Sequence, residues 1–354
     1  MTSTHTDALA VMRNAVASAA AVCSAVQSRL DSLRAITKDD KSPVTIADFA
    51  SQAIIARALR AALGDDLLLV AEETSAFLRD PAHAAHLDAA LTVLREVPEA
   101  NWPRATAEDF LSAIDAGAAD PLSPRAIGGG FFTLDPIDGT KGFLRGGQYA
   151  IALAFVKDGH PQLAVMGCPN LASDRTASAE LPAPPGCVFA ACRGAGFVTQ
   201  SPLTIANAAP RDGHSLTPAI RAAFAGVRSH RVLAESVESA HSDQSASAII
   251  MREVDPAYTL LRLDSQCKYA VVARGQADLY LRLPSKKGYI ERIWDHAAGA
   301  LIAQEAGCTV TDALGAPLDF SRGRGLESNK GIAVAPAGGG LHASVIAAIR
   351  RHVS

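Results

Sequence analysis

Aromatic residues are scarce in this sequence: they make up 5% of its 354 residues, and only two of them are tryptophans. The hydrophobic core must therefore consist mainly of small and aliphatic side chains, and the abundant alanine favours closely packed helices. Hydrophobic residues nevertheless reach 49% and charged residues 19%, which is an ordinary globular balance. The length allows one large domain or two domains of moderate size.

An excess of positive charge is also absent, because the formal net charge is -3. We therefore expect neither a nucleic acid polymer nor an anionic membrane as a partner. An anionic ligand would have to be bound by a local cluster of side chains or through metal ions.

Several motifs that would indicate other classes of protein are missing. The six cysteines include no C-x-x-C pair and match no zinc-site spacing, so we expect small buried residues in a reducing compartment. The N-terminus has no basic segment followed by an unbroken apolar block, and no apolar run approaches membrane-spanning length, so a cytoplasmic protein is expected. The glycine-rich loops of Rossmann dehydrogenases and P-loop enzymes are absent too, which excludes both classes.

Hydrophobic periodicity predicts helices over Asp7–Leu30 and Ile46–Leu63, followed by a short buried strand, Leu67–Ala71. After about residue 201 the helix and strand patterns alternate, which predicts a second, smaller α/β unit. The expected domains are residues 1–202 and 203–354.

Two hairpins are predicted in the first half. Tyr149–Val156 and Leu163–Gly167 are strand-like runs joined at Asp158-Gly159, and Cys187–Arg193 pairs in the same way with Gly196–Thr199. Consecutive hairpins predict a mainly antiparallel sheet.

Acidic residues lie at the ends of predicted elements in three places, where oxygen ligands for a hard cation are expected. Glu72 and Glu73 end the first strand, the segment 135–140 follows a strand that begins at Phe131, and Asp295 begins a helix.

The hexapeptide 135–140, Asp-Pro-Ile-Asp-Gly-Thr, has the composition of a metal-binding turn. Its proline fixes one backbone dihedral angle and removes an N–H that would point at a cation. The two aspartates can then converge, with the Ile137 carbonyl as a further oxygen ligand, while Gly139 permits a tight backbone and Thr140 places a hydroxyl beside the metal. An ordinary turn is the alternative, since Asp, Pro and Gly are common turn residues.

The segments Asp135-Pro-Ile-Asp-Gly-Thr140 and Trp294-Asp-His-Ala-Ala-Gly299 resemble the two signature motifs of the inositol monophosphatase-like, lithium-sensitive phosphatases. Further segments are similar to those of the 3′(2′),5′-bisphosphate nucleotidases within that superfamily: Ser42-Pro-Val-Thr-Ile-Ala-Asp48, Val70-Ala-Glu-Glu73, Gly139-Thr-Lys-Gly-Phe-Leu-Arg145, Leu263-Asp-Ser-Gln-Cys-Lys-Tyr269 and Tyr280-Leu-Arg-Leu-Pro284. The resemblance implies an α/β (α+β) fold, a layered αβαβα sandwich with metal ions where its two units meet.

The resemblance also implies a site for two to three Mg²⁺ ions. Glu72, Asp135 and the Ile137 carbonyl would hold one ion, and Asp135, Asp138 and Asp295 would hold a second. Several carboxylates that converge repel one another, and cations would relieve that repulsion.

Asp48 and Thr140 are the implied catalytic pair. The Thr140 hydroxyl would donate a hydrogen bond to Asp48, and together they would take a proton from the attacking water. Asp48 has an alternative role as a capping acid in the first turn of its helix.

The implied substrate-binding residues are Thr140, His241, Ser265, Lys268, Arg282 and Asp295. Lys268 and Arg282 would pair with a 5′-phosphate, and Ser265 would donate a hydrogen bond to it. The alternatives are a solvated lysine on a helix, an arginine at a strand edge and, for His241, a surface histidine without a role.

The implied reaction is removal of the 3′-phosphate from adenosine 3′,5′-bisphosphate, and from its sulfated form, by metal-activated water. The partner would be a small nucleotide connected with sulfate assimilation, and the protein a monomer or a weak homodimer. The alternatives are an inositol polyphosphate 1-phosphatase or an inositol monophosphatase on the same fold, and a catalytically inactive binding protein. The pair Lys268 and Arg282 argues against inositol monophosphate, which has no second phosphate.

Overall fold

The computed structural model describes residues 3–30, 46–204, 214–238, 242–284 and 288–352. The α-helices of this part are α1 (Ser3–Gln27), α2 (Ile46–Leu63), α3 (Ala76–Arg79), α4 (Ala84–Glu96), α5 (Ala107–Asp115), α6 (Pro124–Gly129), α7 (Thr140–Leu144), α8 (Pro218–Ala225), α9 (Gln244–Val254), α10 (Cys267–Ala273), α11 (Ala297–Glu305) and α12 (Leu341–His352). Its β-strands are β1 (Leu69–Ala71), β2 (Phe131–Asp138), β3 (Ala150–Lys157), β4 (His160–Cys168), β5 (Cys187–Cys192), β6 (Val198–Pro202), β7 (His214–Leu216), β8 (Val232–Glu235), β9 (Thr259–Arg262), β10 (Leu279–Arg282), β11 (Cys308–Thr311) and β12 (Ile332–Pro336).

The first sheet has seven strands in the order β1-β2-β3-β4-β5-β6-β7. β1 and β2 are parallel, and every later pair of neighbours is antiparallel. At the turn between β3 and β4, Asp158 and Gly159 both have positive φ angles, 53° and 71°, as a two-residue hairpin turn requires. Both predicted hairpins and the mainly antiparallel first sheet are confirmed.

The second sheet has five strands in the order β11-β12-β10-β8-β9. β8 is parallel to both β9 and β10, while β12 runs antiparallel to β10 and β11. The carboxyl ends of the three parallel strands therefore lie on one edge of the sheet, and the chain leaves that edge at Glu235, Arg262 and Arg282.

Three apolar clusters hold five layers of helices and sheets together, and the second cluster fills the space on both sides of the middle layer. The first cluster joins α1, α2, α4 and α5 to one face of the first sheet. The second joins the other face of that sheet to α10, α11 and the second sheet, and the third joins the far face of the second sheet to α9 and α12. Successive residues of a strand face opposite sides: in β3, Leu153 belongs to the first cluster and Ala152 and Ala154 to the second. The αβαβα sandwich is confirmed.

Helix α1 corrects one expectation. Its segment Thr6–Gln27 is long and apolar enough to cross a membrane by length and composition, although no such run was expected. The reason is its alanine-rich sequence, which is apolar on nearly all sides. Met12, Val16 and Cys23 are fully buried in the first cluster. A helix in the core of a protein can be as long and as apolar as a helix that crosses a membrane. All six cysteines are buried as predicted.

The division into residues 1–202 and 203–354 stays a prediction. The first sheet continues past its boundary, because β7 pairs with β6 through Leu216 and its two predecessors. Helix α11, from the second part of the sequence, packs against β3, β4 and β5 of the first sheet, and residues of α10 belong to the same apolar cluster.

We expect Gly159→Ala to destabilise the protein, because a Cβ at φ 71° costs about 1 kcal/mol. The new Cβ would also lie 3.1 Å from the Cβ of Ser321. Chemical denaturation at equilibrium would measure the change in the free energy of unfolding. Gly128→Ala in α6 is the control: its Cβ would meet nothing within 4 Å, and alanine should stabilise that helix by about 0.5 kcal/mol. A stabilising Gly159→Ala would contradict the assigned turn.

Candidate active site

Helix α2 presents polar side chains to the ends of β1 and β2. Asp48, Ser51 and Gln52 are buried, and their spacing of three and four residues places them on one helix face. The Ser51 hydroxyl donates to the Pro136 carbonyl oxygen at 2.8 Å. The Gln52 amide donates to the Glu73 carbonyl oxygen at 2.8 Å and accepts from the Glu73 N–H at 3.0 Å. The helix thereby holds both strand ends next to Asp48.

The parallel pairing of β1 and β2 brings the acidic residues together. Ala71 lies opposite Leu134, so Glu72 and Asp135 follow at the same edge of the sheet. The regular pairing of β2 with β3 is interrupted between Asp135 and Asp138, so the hexapeptide forms an irregular turn at the end of the strand.

The turn itself is held by local hydrogen bonds. The Ile137 N–H donates to Oδ1 of Asp135 at 3.1 Å, and the Thr140 hydroxyl donates to the Ile137 carbonyl oxygen at 3.3 Å. Gly139 precedes α7 with φ 88° and leaves room for Ser265, whose Cβ would lie 2.9 Å from an added Cβ. Substitution of this glycine would therefore push the turn away from the segment of Ser265.

Asp295 reaches the same place from the segment that precedes α11. It lies beside Arg282, with 3.9 Å between Oδ2 and Nη2. Two nitrogens of Arg282 bind the buried Glu291, with Nε donating to Oε1 at 2.9 Å and Nη2 lying 2.6 Å from Oε2. Side-chain ligand atoms of Glu291, Asp295 and His296 lie within 4.8 Å of one another, and Arg282 supplies the positive charge in that group.

The acidic residues perturb one another strongly. Burial and then the charge of Asp295 raise the pKa of Glu72 to about 9. Burial and the charge of Asp48 raise the pKa of Glu73 to about 8. Burial, followed by the charges of Glu72 and Asp138, raises the pKa of Asp135 well above its usual range. Burial also raises the pKa of Asp295 to about 6, against the opposing effect of Arg282.

The predicted ligands therefore lie close enough for the charge of one carboxylate to change the pKa of another, although they come from separate segments of the chain. A group of converging carboxylates without neutralising cations is electrostatically unfavourable. Carboxylate and carbonyl oxygens are the ligands that hard divalent cations prefer. The set of oxygen ligands therefore fits divalent cations. A second, positively charged group near these carboxylates consists of Lys268 and Arg282.

Lys268 is buried rather than solvated, which removes one alternative from the sequence analysis. Its Nζ donates to the carbonyl oxygens of Ser265 at 2.7 Å and Leu263 at 3.3 Å, and it lies 5.4 Å from the ring centre of Tyr280. Burial lowers the pKa of Lys268 to about 8. Ser265 has a positive φ of 67°, and its hydroxyl oxygen accepts from the Cys267 N–H.

Two of the five segments that resemble nucleotidase motifs, Gly139–Arg145 and Leu263–Tyr269, contact each other. Arg145, at the end of the first segment, binds Asp264 in the second at 2.6 Å and also binds Glu238. Gly142 permits this approach, because an added Cβ would lie 2.8 Å from the Asp264 carboxylate. Among the other predicted residues, His241 lies outside the described part of the chain, so its role stays a prediction.

Several polar residues that hold the site were missed in the sequence analysis: the buried Ser51, Gln52, Gln266 and Glu291 and the half-buried Arg324. Helical spacing from Asp48 could have indicated the first two. The others depend on contacts between distant segments; Arg324, for example, donates to the Ala71 carbonyl oxygen and lies 4.8 Å from the ring centre of Trp294.

Known proteins resemble this chain over most of its length. The 3′(2′),5′-bisphosphate nucleotidase of Emericella nidulans is 41% identical over 329 residues, which cover 89% of this chain and 90% of that protein. The 3′,5′-bisphosphate nucleotidase 2 of Arabidopsis thaliana is 38% identical over 341 residues, covering 92% and 91%.

Solved structures share the fold. CysQ from Bacteroides thetaiotaomicron, a bacterial member of the inositol monophosphatase family, matches with a TM-score of 0.54 and 18% identity over 93% of this chain and 97% of its own. The inositol monophosphatase of Anabaena matches with a TM-score of 0.56 and 17% identity, over 98% and 96%. A sequence profile of the inositol monophosphatase family matches residues 7–354, and the chain belongs to that family.

Proposed function

We propose that this protein hydrolyses the 3′-phosphate of adenosine 3′,5′-bisphosphate to give AMP and inorganic phosphate, and that it also accepts the sulfated form of this nucleotide. The observation that carries the proposal is the position of a buried lysine, Lys268, next to converging carboxylates. The carboxylates suit metal ions at a phosphate that is hydrolysed, and the lysine suits a second phosphate that is retained. The names of the relatives from Emericella nidulans and Arabidopsis thaliana agree with this substrate.

We propose Mg²⁺ as the metal, with two to three ions. Glu72, Asp135 and the Ile137 carbonyl oxygen would hold one ion, and Asp135 with Asp138 and Asp295 would hold a second. When bound, such ions lower the pKa of a water molecule and neutralise phosphoryl oxygens. They would also allow a protein of net charge -3 to accept a highly anionic substrate.

Asp48 and Thr140 would together accept a proton from the attacking water. Asp48 lies close enough to Glu72 and Glu73 for its charge to raise the pKa of both, which supports a role for it in the reaction. The Thr140 hydroxyl, which now donates to the Ile137 carbonyl oxygen, would turn toward Asp48 and pass the proton on. No covalent intermediate is needed, because water would attack phosphorus directly. The bond from phosphorus to the 3′-oxygen would break, and this oxygen would keep the electron pair and take up a proton, equivalent to the one removed from the water, to become the 3′-hydroxyl of AMP.

Lys268 and Ser265 would bind the 5′-phosphate directly. The positive charge of Arg282 would add to the attraction of this phosphate. Lys268 uses two of its three N–H donors on carbonyl oxygens, so one remains for a phosphate. Arg282 already binds Glu291 through two nitrogens, and its direct contact with substrate stays a prediction. His241 and Asp295 complete the proposed contacts.

Phosphate release with Mg²⁺ tests the proposal. Adenosine 3′,5′-bisphosphate would be compared with inositol 1-phosphate and inositol 1,4-bisphosphate, each with and without lithium. We expect preference for the nucleotide and suppression by lithium. Preference for an inositol phosphate would overturn the nucleotide assignment in favour of an inositol phosphatase, and absence of turnover would favour a binding protein.

Asp138→Asn should lower kcat on the bisphosphate by more than about 100-fold, because it removes a charged ligand of the second ion. The metal-free variant should be as stable as the parent or more so, since one like charge is removed from the cluster. Retained turnover, measured as phosphate release at saturating substrate, would contradict the assigned ligand set.

Lys268→Met should raise KM for adenosine 3′,5′-bisphosphate by at least about 10-fold, because it removes a charge-assisted hydrogen bond to the 5′-phosphate. KM for adenosine 3′-monophosphate should change much less, since that substrate lacks the group. Steady-state kinetics on the two substrates provides the comparison. An equal loss on both would show that the 5′-phosphate lies elsewhere.

Metal-free protein should lose stability as pH rises from about 6 to about 9, because the folded state then binds more protons than the unfolded state. The cause is that the pKa values of Glu72 and Glu73 are raised to about 9 and about 8. The increase in melting temperature on adding Mg²⁺ should therefore grow with pH. Glu72→Gln is the control and should flatten the metal-free pH dependence, whereas a Mg²⁺ effect that shrinks with pH would contradict the argument.

A further inference from the structure

We propose that Gln266 is a positioning residue that holds Asp138 and Asp295, from the two separate motifs, in the relative geometry that binds the second metal ion. The inference rests on the proposed metal site and adds a residue to it. Gln266 would not contact the ion or the substrate.

Three hydrogen bonds carry the inference. The backbone N–H of Gln266 donates to Oδ2 of Asp138 at 2.6 Å. Its side-chain Nε2 donates to the carbonyl oxygen of Trp294 at 2.9 Å, and its Oε1 accepts from the N–H of Gly299 at 2.9 Å. Trp294 and Gly299 stand on either side of Asp295 in the chain, so one residue binds the carboxylate of one ligand and the backbone around the other.

The side chain of Gln266 is suited to this task by its chemistry. It is 2% exposed, and its amide offers a donor nitrogen and an acceptor oxygen at the same distance from the backbone. The donor meets a carbonyl and the acceptor meets an N–H, so the orientation of the amide is determined by its partners. A carboxylate of the same shape would lose the donor, and an aliphatic side chain would lose both bonds and leave two buried backbone groups unpaired.

The segment around Gln266 is also held from the first unit. The Cys267 thiol donates to the Tyr149 carbonyl oxygen at 3.4 Å, and Ser265 packs against the turn at Gly139. Gln266 therefore lies on a segment attached to the turn that contains Asp138, while its side chain reaches the loop of Asp295.

Holding these two carboxylates together opposes their repulsion. The charge of Asp138 contributes to raising the pKa of Asp295, so an unrestrained loop would relax by separating them. A site held in its binding geometry before the cation arrives avoids that rearrangement, which is how residues behind the ligands raise metal affinity. Loss of the amide should therefore weaken the ion that both aspartates share.

Gln266→Met tests the proposal by metal binding as well as activity. Mg²⁺ would be titrated into the full-length protein in a Trp102→Phe background, so that the fluorescence of Trp294, next to Asp295, reports binding; isothermal titration calorimetry would give the same constant independently. We expect Mg²⁺ affinity to fall about 10-fold or more. At low Mg²⁺, kcat should fall, and raised Mg²⁺ should restore most of it, with KM for the bisphosphate nearly unchanged.

Gln200→Met is the matched control. Gln200 is likewise a buried glutamine, in β6, and its Nε2 donates to the Ser173 carbonyl oxygen at 2.7 Å. The variant should lower the melting temperature as a lost buried hydrogen bond does, with unchanged Mg²⁺ affinity. If Gln266→Met fails to fold, Gln266→Asn carries the test, because its shorter side chain cannot reach both backbone partners.

Wild-type Mg²⁺ affinity in Gln266→Met, or an equal loss of affinity in both glutamine variants, would overturn the positioning role. Failure of the wild-type protein to bind Mg²⁺ would overturn the metal site of the proposed function and this inference with it. Mg²⁺ binding by the wild type without turnover of the nucleotide would overturn the proposed substrate alone, and the comparison of the variants would still decide the role of Gln266.

Discussion

Mutual repulsion among converging carboxylates is the constraint on which the site depends. Glu72, Asp135 and Asp295 come from different elements of the fold. The charge of Asp295 nevertheless raises the pKa of Glu72, and the charges of Glu72 and Asp295 raise the pKa of Asp135. Such a group forms only if the surrounding fold is strong enough to oppose the repulsion. The five layers supply that strength, because three apolar clusters fix the strand ends that carry the acids.

The polar residues behind the acids transmit this rigidity to the site. Gln52 attaches the end of β1 to α2, and Ser51 attaches the following turn to the same helix. On the opposite side, Glu291 binds Arg282 next to Asp295, which balances part of the negative charge. Buried polar groups of this kind have their hydrogen bonds satisfied by specific partners, so they specify one arrangement of the loops rather than adding much to overall stability.

Much of the local structure was predictable. The helix Ile46–Leu63 has the predicted bounds, and the hairpin at Asp158-Gly159 forms where turn chemistry indicates it. The environment of Lys268 was not predictable, because a lysine on a helix is usually solvated and its burial follows from the packing of α10 between two sheets. The ion pair of Arg282 was not predictable either. Its partner Glu291 lies beyond the end of the strand that carries Arg282, and nothing in the local sequence pattern indicates that the two residues pair.

The amino-acid sequence by itself determined which oxygen ligands are available and at which ends of helices and strands they stand, because periodicity and turn chemistry act over a few residues. Only the tertiary structure decided how the two motifs meet. Asp138 and Asp295 lie more than a hundred residues apart. Gln266 binds the Asp138 carboxylate and the backbone on either side of Asp295 only once the two sheets pack around α10 and α11. Distances between such groups depend on side-chain packing across layers, which no short stretch of sequence contains.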